Sequence, residues 1–230
     1  MDTKKKIIFN ELVEQDYGRR EAFNSLRTNL QFSGADIKAV LFTSCKPDEG
    51  KSTTSFELAK SMAEVGKHVI FIDADLRKSV TINRYKATKE KDKGHISGLS
   101  HYLSKQAELE DIICETNIPG MDIVVTGPLS PNPTELLNGE LFTDMIASLR
   151  NRYDAVIIDA PPLGNVIDAA VIAPKCDGVV LVVEADQTSR RLAMDVKKQI
   201  EMTGSRILGV VLNKVKVEKS KYYKYYGEYK

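Results

Sequence analysis

Six short apolar runs constrain this chain more than any other feature. They stand at 39–43, 68–73, 121–126, 155–159, 178–184 and 207–212, and they are almost continuously hydrophobic, as in Val156-Ile157-Ile158 and Val179-Val180-Leu181-Val182-Val183. A strand that is apolar on both faces needs cover on both faces, which is the condition of a parallel sheet between helical layers. Helical patterns fill the gaps. Residues 51–65 place Leu58, Met62 and Val65 on one stripe and stop at Gly66, a residue suited to the left-handed position past a helix end. Residues 134–150 follow Pro133 and repeat Leu137, Leu141 and Met145, while 166–173 and 189–203 supply two further helices. Before the first strand, 17–32 reads as a helix with Phe23, Leu26 and Leu30 on one side, packed on the sheet edge or used as an oligomer contact. The expected fold is α/β: a doubly wound, mostly parallel sheet with helices on both faces and ligands at the carboxyl ends of the strands.

Residues 1–216 are expected to form one domain, with 217–230 a flexible tyrosine-rich tail and 86–95 a mobile loop near the ligand. The 42% hydrophobic and 28% charged content is that of an ordinary soluble domain. With 33 basic against 32 acidic side chains the net charge is +1, so no global field draws the chain to nucleic acid. Cys45, Cys114 and Cys176 form no C-x-x-C pair, which argues against a disulfide framework or a thiolate metal site and fits a reducing cytoplasm. No run approaches the roughly 20 apolar residues that span a bilayer.

The first apolar run leads into Ser44-Cys45-Lys46-Pro47-Asp48-Glu49-Gly50-Lys51-Ser52-Thr53 and then a helical pattern. That order suits a phosphate loop: backbone N–H groups at a helix N-terminus, a lysine for the β- and γ-phosphates and a hydroxyl for Mg²⁺. Gly50, Lys51 and Ser52 supply these parts, and the stretch from Lys46 to Thr53 is expected to line the nucleotide. Cys45 stands where the general motif has its first glycine, while Lys46 ahead of the loop marks the deviant Walker A form; Asp48 adds a negative charge where a glycine is common. Two more strand ends carry acids: Asp73 and Asp75 in Ile72-Asp73-Ala74-Asp75-Leu76-Arg77, and Asp159 after Val156-Ile157-Ile158. Ser52, Asp75 and Asp159 are the expected metal ligands, direct or through water. Arg77 is grouped with the nucleotide residues, and Asn213, after the last strand, is assigned to adenine, against the plainer reading of a turn-closing Asn.

At these residues the sequence resembles the bacterial tyrosine kinases of capsule and exopolysaccharide synthesis, over nearly the whole chain. The resemblance rests on the deviant loop ending Gly50-Lys51-Ser52, the Walker A′ run 72–77, the Walker B run ending at Asp159, the segment Thr126-Gly127-Pro128-Leu129-Ser130-Pro131-Asn132-Pro133-Thr134-Glu135-Leu136-Leu137, and the tail tyrosines Tyr222, Tyr223, Tyr225, Tyr226 and Tyr229. It implies a MinD-like P-loop fold, ATP with Mg²⁺, and phosphorylation of those five tyrosines in a neighbouring copy. Lys51, Asp73, Asp75 and Asp159 are then the catalytic set, with Asp73 receiving the tyrosine proton. It further implies a membrane-anchored polysaccharide co-polymerase as activator, self-association as a homo-oligomer, a cognate tyrosine phosphatase, and a cytoplasmic chain held at the inner face of the membrane through its partner; nucleic acid is not expected. Many relatives carry E-x-x-R-x-x-R in the first helix for ring contacts, whereas this chain has Glu21, Asn24 and Arg27. An Asn lacks the forked charged pair of an Arg, so ring formation without the partner is in question. Two other readings share the Walker residues: a MinD- or ParA-like positioning ATPase, and a noncatalytic nucleotide-gated scaffold. The basic, tyrosine-rich tail also admits an adhesive or membrane-touching segment.

Overall fold

The computed structural model describes residues 5–12, 16–89 and 96–216. Nine strands form one sheet in the order β4-β1-β5-β6-β3-β7-β2-β8-β9. They are β1 (Lys6–Ile8), β2 (Ala39–Ser44), β3 (Val69–Asp73), β4 (Thr88–Lys89), β5 (Ile113–Thr116), β6 (Met121–Val124), β7 (Ala155–Asp159), β8 (Gly178–Glu184) and β9 (Ile207–Asn213). From β6 to β9 all six are parallel; β5 runs antiparallel to β6, and β4 antiparallel to β1.

The six expected strands are those of the parallel block. The three edge strands went unread because they are two to four residues long and carry no sustained apolar run. Within the block the side chains divide as a doubly covered sheet requires. Ala39, Leu41, Ile70, Ile72, Val156 and Ile158 enter one core, while Val40, Phe42, Val69, Phe71 and Ile157 enter the other. The second core lies under α1 (Tyr17–Phe32) and α2 (Lys51–Glu64), where Phe56 stacks on Tyr85 at 4.1 Å between ring centres.

The short helices α3 (Thr81–Arg84), α4 (Leu99–Leu103) and α5 (Leu109–Ile112) lie between β3 and β5. Where one helix is expected over 134–150, two form: α6 (Pro133–Asn138) and α7 (Glu140–Arg152). Gly139 between them is extended, with ψ 162°, so the chain leaves the helical path for one residue. The helix expected over 166–173 contracts to α8 (Asp168–Ile172) plus a 3₁₀ turn at Ala173–Lys175, because Pro174 has no N–H to continue an α-helical ladder. Helix α9 (Arg190–Met202) keeps its expected place, with Ser189 capping the Leu192 N–H at 3.2 Å.

The loop expected over 86–95 is in part a strand: Ile7 and Ile8 pair with Lys89 and Thr88. Residues 90–95 lie outside the described residues, as does the tail 217–230 with its five tyrosines. Among the described residues, no helix is long and apolar enough to cross a membrane.

Helix α1 docks on α2 through Arg27, whose Nη1 donates to the Ser61 hydroxyl at 2.6 Å and the Ser61 carbonyl at 3.0 Å. Asn24 turns to its own helix, its amide donating to Glu21 Oε1 at 2.9 Å. On the opposite face Phe142 is fully buried among Leu137, Met145 and Ile146. Phe142→Ala is expected to cost about 3–5 kcal/mol by removing a buried ring and leaving a cavity. Urea unfolding followed by circular dichroism measures this; a loss under about 1 kcal/mol would mean that the α7 side of the core collapses freely around the gap.

Candidate functional site

Side-chain alternation and strand register together assemble the site. Asp73 and Asp159 are direct partners across β3 and β7, and β7 in turn pairs with β2, Asp159 opposite Phe42. In both acid-bearing strands the odd-numbered residues face α2, so the two carboxylates emerge at the carboxyl ends of adjacent strands on the side where α2 begins. Chain flow out of β2 delivers Lys51 and Ser52 to the same point as the first two residues of α2.

There Lys51 is buried and its ammonium is surrounded. Nζ lies 3.1 Å from Ser52 Oγ, 3.4 and 3.5 Å from the two Asp159 oxygens and 3.7 Å from Asp75 Oδ2. Asp73 accepts the Ser79 hydroxyl at 2.7 Å on Oδ2 and the Asp75 N–H at 3.3 Å on Oδ1. Asp75 closes a turn by accepting the N–H groups of Arg77 and Lys78 at 3.2 and 2.9 Å. Burial pushes Asp159 up from 3.8 to about 6; the Lys51 charge works against the shift, and Asp73 and Asp75 add to it. Asp73 is raised for the same leading reason, burial, moderated by the Ser79 hydroxyl and by Lys51.

The four oxygen-bearing side chains fit a hard divalent cation. Ser52, Asp75 and Asp159 already converge on one cationic atom, the Lys51 ammonium, and their oxygens are the donor type that Mg²⁺ takes. Among the described residues no three acidic, His or Cys side chains form a metal cage by themselves. A metal here would therefore complete its shell with water and ligand oxygens.

The loop's curvature comes from two left-handed residues, Asp48 at φ 64° and Gly50 at φ 91°. Gly50 is required twice over, since a Cβ there would meet the Asn213 amide nitrogen at 2.0 Å. Gly164 makes a similar close approach: a Cβ would sit 2.1 Å from the Cys45 carbonyl oxygen, so the loop after β7 packs directly against the loop after β2. Cys45 itself is fully buried, and burial with the neighbouring Glu49 charge holds its thiol up at about 12.

The remaining predicted residues take distinct places. Pro47 and Asp48 are exposed at the loop tip and Thr53 is half-buried in the first turn of α2. Lys46 reaches away from the acids, Nζ donating to the Gln187 carbonyl at 2.9 Å. Glu49 does not project its carboxylate beside Lys51; it turns it back onto the backbone of Cys45 and Lys46. Arg77, expected beside the nucleotide, is engaged elsewhere: Nε and Nη2 fork onto the fully buried Asp168 at 2.5 and 3.1 Å, with Nη2 also donating to Thr134. This pair anchors the strand end that carries Asp73 and Asp75. Asn213 donates to the Glu49 carbonyl at 2.9 Å and lines a cleft of about 640 Å³ with Asp48, Thr53, Lys214 and the α1 residues Arg19 and Phe23.

Sequence reasoning missed Ser79, Thr188, Thr134 and Asp168. Of these Thr134 stood in the family segment with no role assigned, and Asp168 left a trace as a single acid opening the apolar stretch Ala169-Ala170-Val171-Ile172; the hydroxyls gain their roles only through tertiary contact.

Two tests follow from this geometry. Asp48→Gly is expected to raise stability by about 1 kcal/mol, because a Cβ at positive φ is strained, and to lift the melting temperature by about 2–4 °C; an unchanged melting curve would mean that Asp48 recovers the strain elsewhere. The raised Asp159 carboxyl keeps its proton to about pH 6 in the folded chain but loses it near 3.8 when unfolded. Its contribution to stability is therefore fully present below that lower value and disappears as pH rises through about 6. Chemical denaturation from about pH 4 to 7 should show Asp159→Asn gaining on the parent by about 3 kcal/mol. A gap independent of pH would show that Asp159 is not raised.

Comparison with known proteins gives the family. Residues 37–215 match the AAA domain family. The chain is 46% identical over 222 residues to the tyrosine-protein kinase CpsD of Streptococcus agalactiae, covering 96% of this chain and 94% of that protein. It is 42% identical to the tyrosine-protein kinase CpsD of Streptococcus pneumoniae, covering 98% and 96%. The crystal structure of the chimerical protein CapA2B2 superposes with a TM-score of 0.79 at 29% identity, covering 90% of this chain and 94% of that one. The chain has the P-loop domain and belongs to the bacterial tyrosine kinases of capsule and exopolysaccharide synthesis.

Proposed function

We propose that this chain transfers the γ-phosphoryl group of ATP, with Mg²⁺, to tyrosines of its own tail cluster, Tyr222, Tyr223, Tyr225, Tyr226 and Tyr229, and that a membrane-anchored co-polymerase activates it. The observation that carries the reading is the single cluster of Lys51, Ser52, Asp73, Asp75 and Asp159 at adjoining strand ends. Its parts match what phosphoryl transfer demands, which is positioning and charge stabilisation rather than covalent chemistry by the protein. Bound Mg²⁺ would neutralise phosphate charge, with Ser52, Asp75 and Asp159 the residues to hold it. Lys51 would exchange its aspartate partners for phosphate oxygens. The loop amides at the start of α2 add fixed N–H dipoles for the same anion.

Asp73 is the proposed acceptor of the phenol proton. Burial raises its carboxyl, which makes its carboxylate a better base than an exposed one. A second cleft, of about 480 Å³, opens beside it between Ile82, Ile96 and Val125, with Ser79 and Thr126 in its wall. Ser79 donates to the Asp73 carboxylate and Thr126 to the Asp73 carbonyl at 3.1 Å, so an aromatic side chain entering along the apolar wall meets the Asp73 neighbourhood at its end. Asn213 and the larger cleft beside Thr53 are the proposed place of the adenosine. Repeated phosphorylation of the tail adds about −1.5 to −2 charges per tyrosine, which would push neighbouring copies apart and leave a substrate for a cognate phosphatase. The similarity to capsule kinases supports a place at the inner face of the membrane, reached through the co-polymerase.

Lys51→Met is expected to abolish ATP-dependent phosphotyrosine on the tail, as mapped by mass spectrometry after incubation with Mg-ATP with and without a co-polymerase fragment, while the far-ultraviolet dichroism stays that of the parent. Phosphotyrosine persisting in the variant would remove this site from the reaction. A positioning ATPase would instead give no phosphotyrosine from the parent and ATP-dependent binding to lipid or DNA.

A further inference from the structure

The phosphate loop holds an acid inside its own curve. Glu49 is 1% exposed, and its carboxylate is fully engaged. Oε2 accepts the Cys45 N–H at 2.6 Å and the Lys46 N–H at 2.8 Å, and Oε1 accepts the hydroxyl of Thr188. Its backbone carbonyl accepts Asn213 at 2.9 Å. A negative charge within a loop built to receive phosphates is unfavourable by Coulomb's law unless its hydrogen bonds return more than the repulsion costs.

What it returns is the shape of the loop. The general motif begins with a glycine, free to turn; this chain has Cys45, which is not among the residues with positive φ. Curvature is displaced to Asp48 and Gly50, and the residue between them reaches back to residues three and four earlier. The buried amide of Cys45 and the part-buried amide of Lys46 are thereby satisfied by a side chain. The same carboxylate carries the loop's connections outward. Thr188 follows β8 and is fixed in turn by the Glu184 N–H at 3.3 Å, and Lys46 joins the same turn at the Gln187 carbonyl.

We propose that Glu49 is a positioning residue: its carboxylate replaces the missing first glycine as the element that shapes the loop, and it ties the loop to the turn after β8, so that nucleotide affinity depends on it. The inference rests on the reading of this loop as a nucleotide site and goes beyond it by giving an acid in the loop a hydrogen-bonding role distinct from its charge.

Titration of the full chain with a fluorescent ADP in the presence of Mg²⁺ tests it. Glu49→Ala should weaken binding about tenfold or more, because the Cys45 and Lys46 amides lose the acceptor that shapes the loop. Glu49→Gln should remain within about threefold of the parent, since its amide oxygen accepts the same two N–H groups and its NH₂ donates to the Thr188 oxygen. In tail phosphorylation the Glu49→Ala loss should fall on KM for ATP far more than on kcat. Thr188→Val, which removes only the outward hydroxyl, should weaken binding about threefold, and it keeps the test open should Glu49→Ala fail to fold. Parent-like binding by folded Glu49→Ala or by Thr188→Val overturns the proposal, and so does Glu49→Gln binding as weakly as Glu49→Ala. If the parent itself failed to bind Mg·ADP, the nucleotide-site reading would fall with it; parent binding beside indifferent variants sinks the role of Glu49 alone.

Discussion

The contact between the Lys51 ammonium and the carboxylates of Asp75 and Asp159 governs the rest of the site. Asp73 and Asp159, buried at the ends of adjacent strands, resist ionisation chiefly because burial disfavours the charged form, and for Asp159 the neighbouring carboxylates add to it. One buried lysine offsets part of that cost. The sheet cannot relieve the remainder by separating the acids, because Asp73 and Asp159 are register partners in the middle of a parallel block whose side chains fill both cores. Under the proposed function a phosphate-bound cation would relieve this arrangement, and nucleotide with metal would stabilise the fold by mass action.

The stiffness of the surroundings follows from the same requirement. Asp168 takes the Arg77 guanidinium in a forked pair and receives the Thr134 hydroxyl, so the turn after β3 cannot swing away under the repulsion between its acids. On the other side Gly164 brings the chain after β7 against Cys45, and Asn213 presses on Gly50. Three loops from β2, β7 and β9 therefore fit together with no room for a methyl group at two glycines. A site with that tolerance keeps its side chains in place without a ligand, at the expense of freedom in the loops.

Much of this was legible in the sequence, and the part that was not has a physical cause. The parallel block was readable because strands covered on both faces must be apolar at every position, a signal that six segments carry. The edge strands β1, β4 and β5 take their pairing from neighbours rather than from their own side chains, so no pattern marks them. Lys51, Ser52, Asp73, Asp75 and Asp159 could be named because each follows an apolar run, and a strand end in a doubly wound sheet points at the ligand. Arg77 was grouped with the nucleotide by adjacency alone, and its pairing could not be read: its partner Asp168 is 91 residues further along the chain, and only the crossover topology brings them together. Gly139 was passed over because a single glycine in a strong helical pattern does not reveal whether the chain leaves the helix there or continues.

Helix α1 shows how the same chemistry can be spent inward. Arg27 gives its guanidinium to Ser61 on α2, and Asn24 satisfies Glu21 within one turn, so two of the three residues at the ring-contact spacing are occupied inside the protomer and the third is held by its neighbour. An arginine at position 24 would have kept a charged fork for a carboxylate on another copy; the shorter neutral amide closes locally instead. Self-association, as proposed, would then draw little charge from this face, where Phe32, 82% exposed at the end of the helix, offers apolar area instead. Contacts of that kind gain most when a second surface completes them, so under the proposed function a membrane-held partner would supply what this face lacks for its copies to assemble.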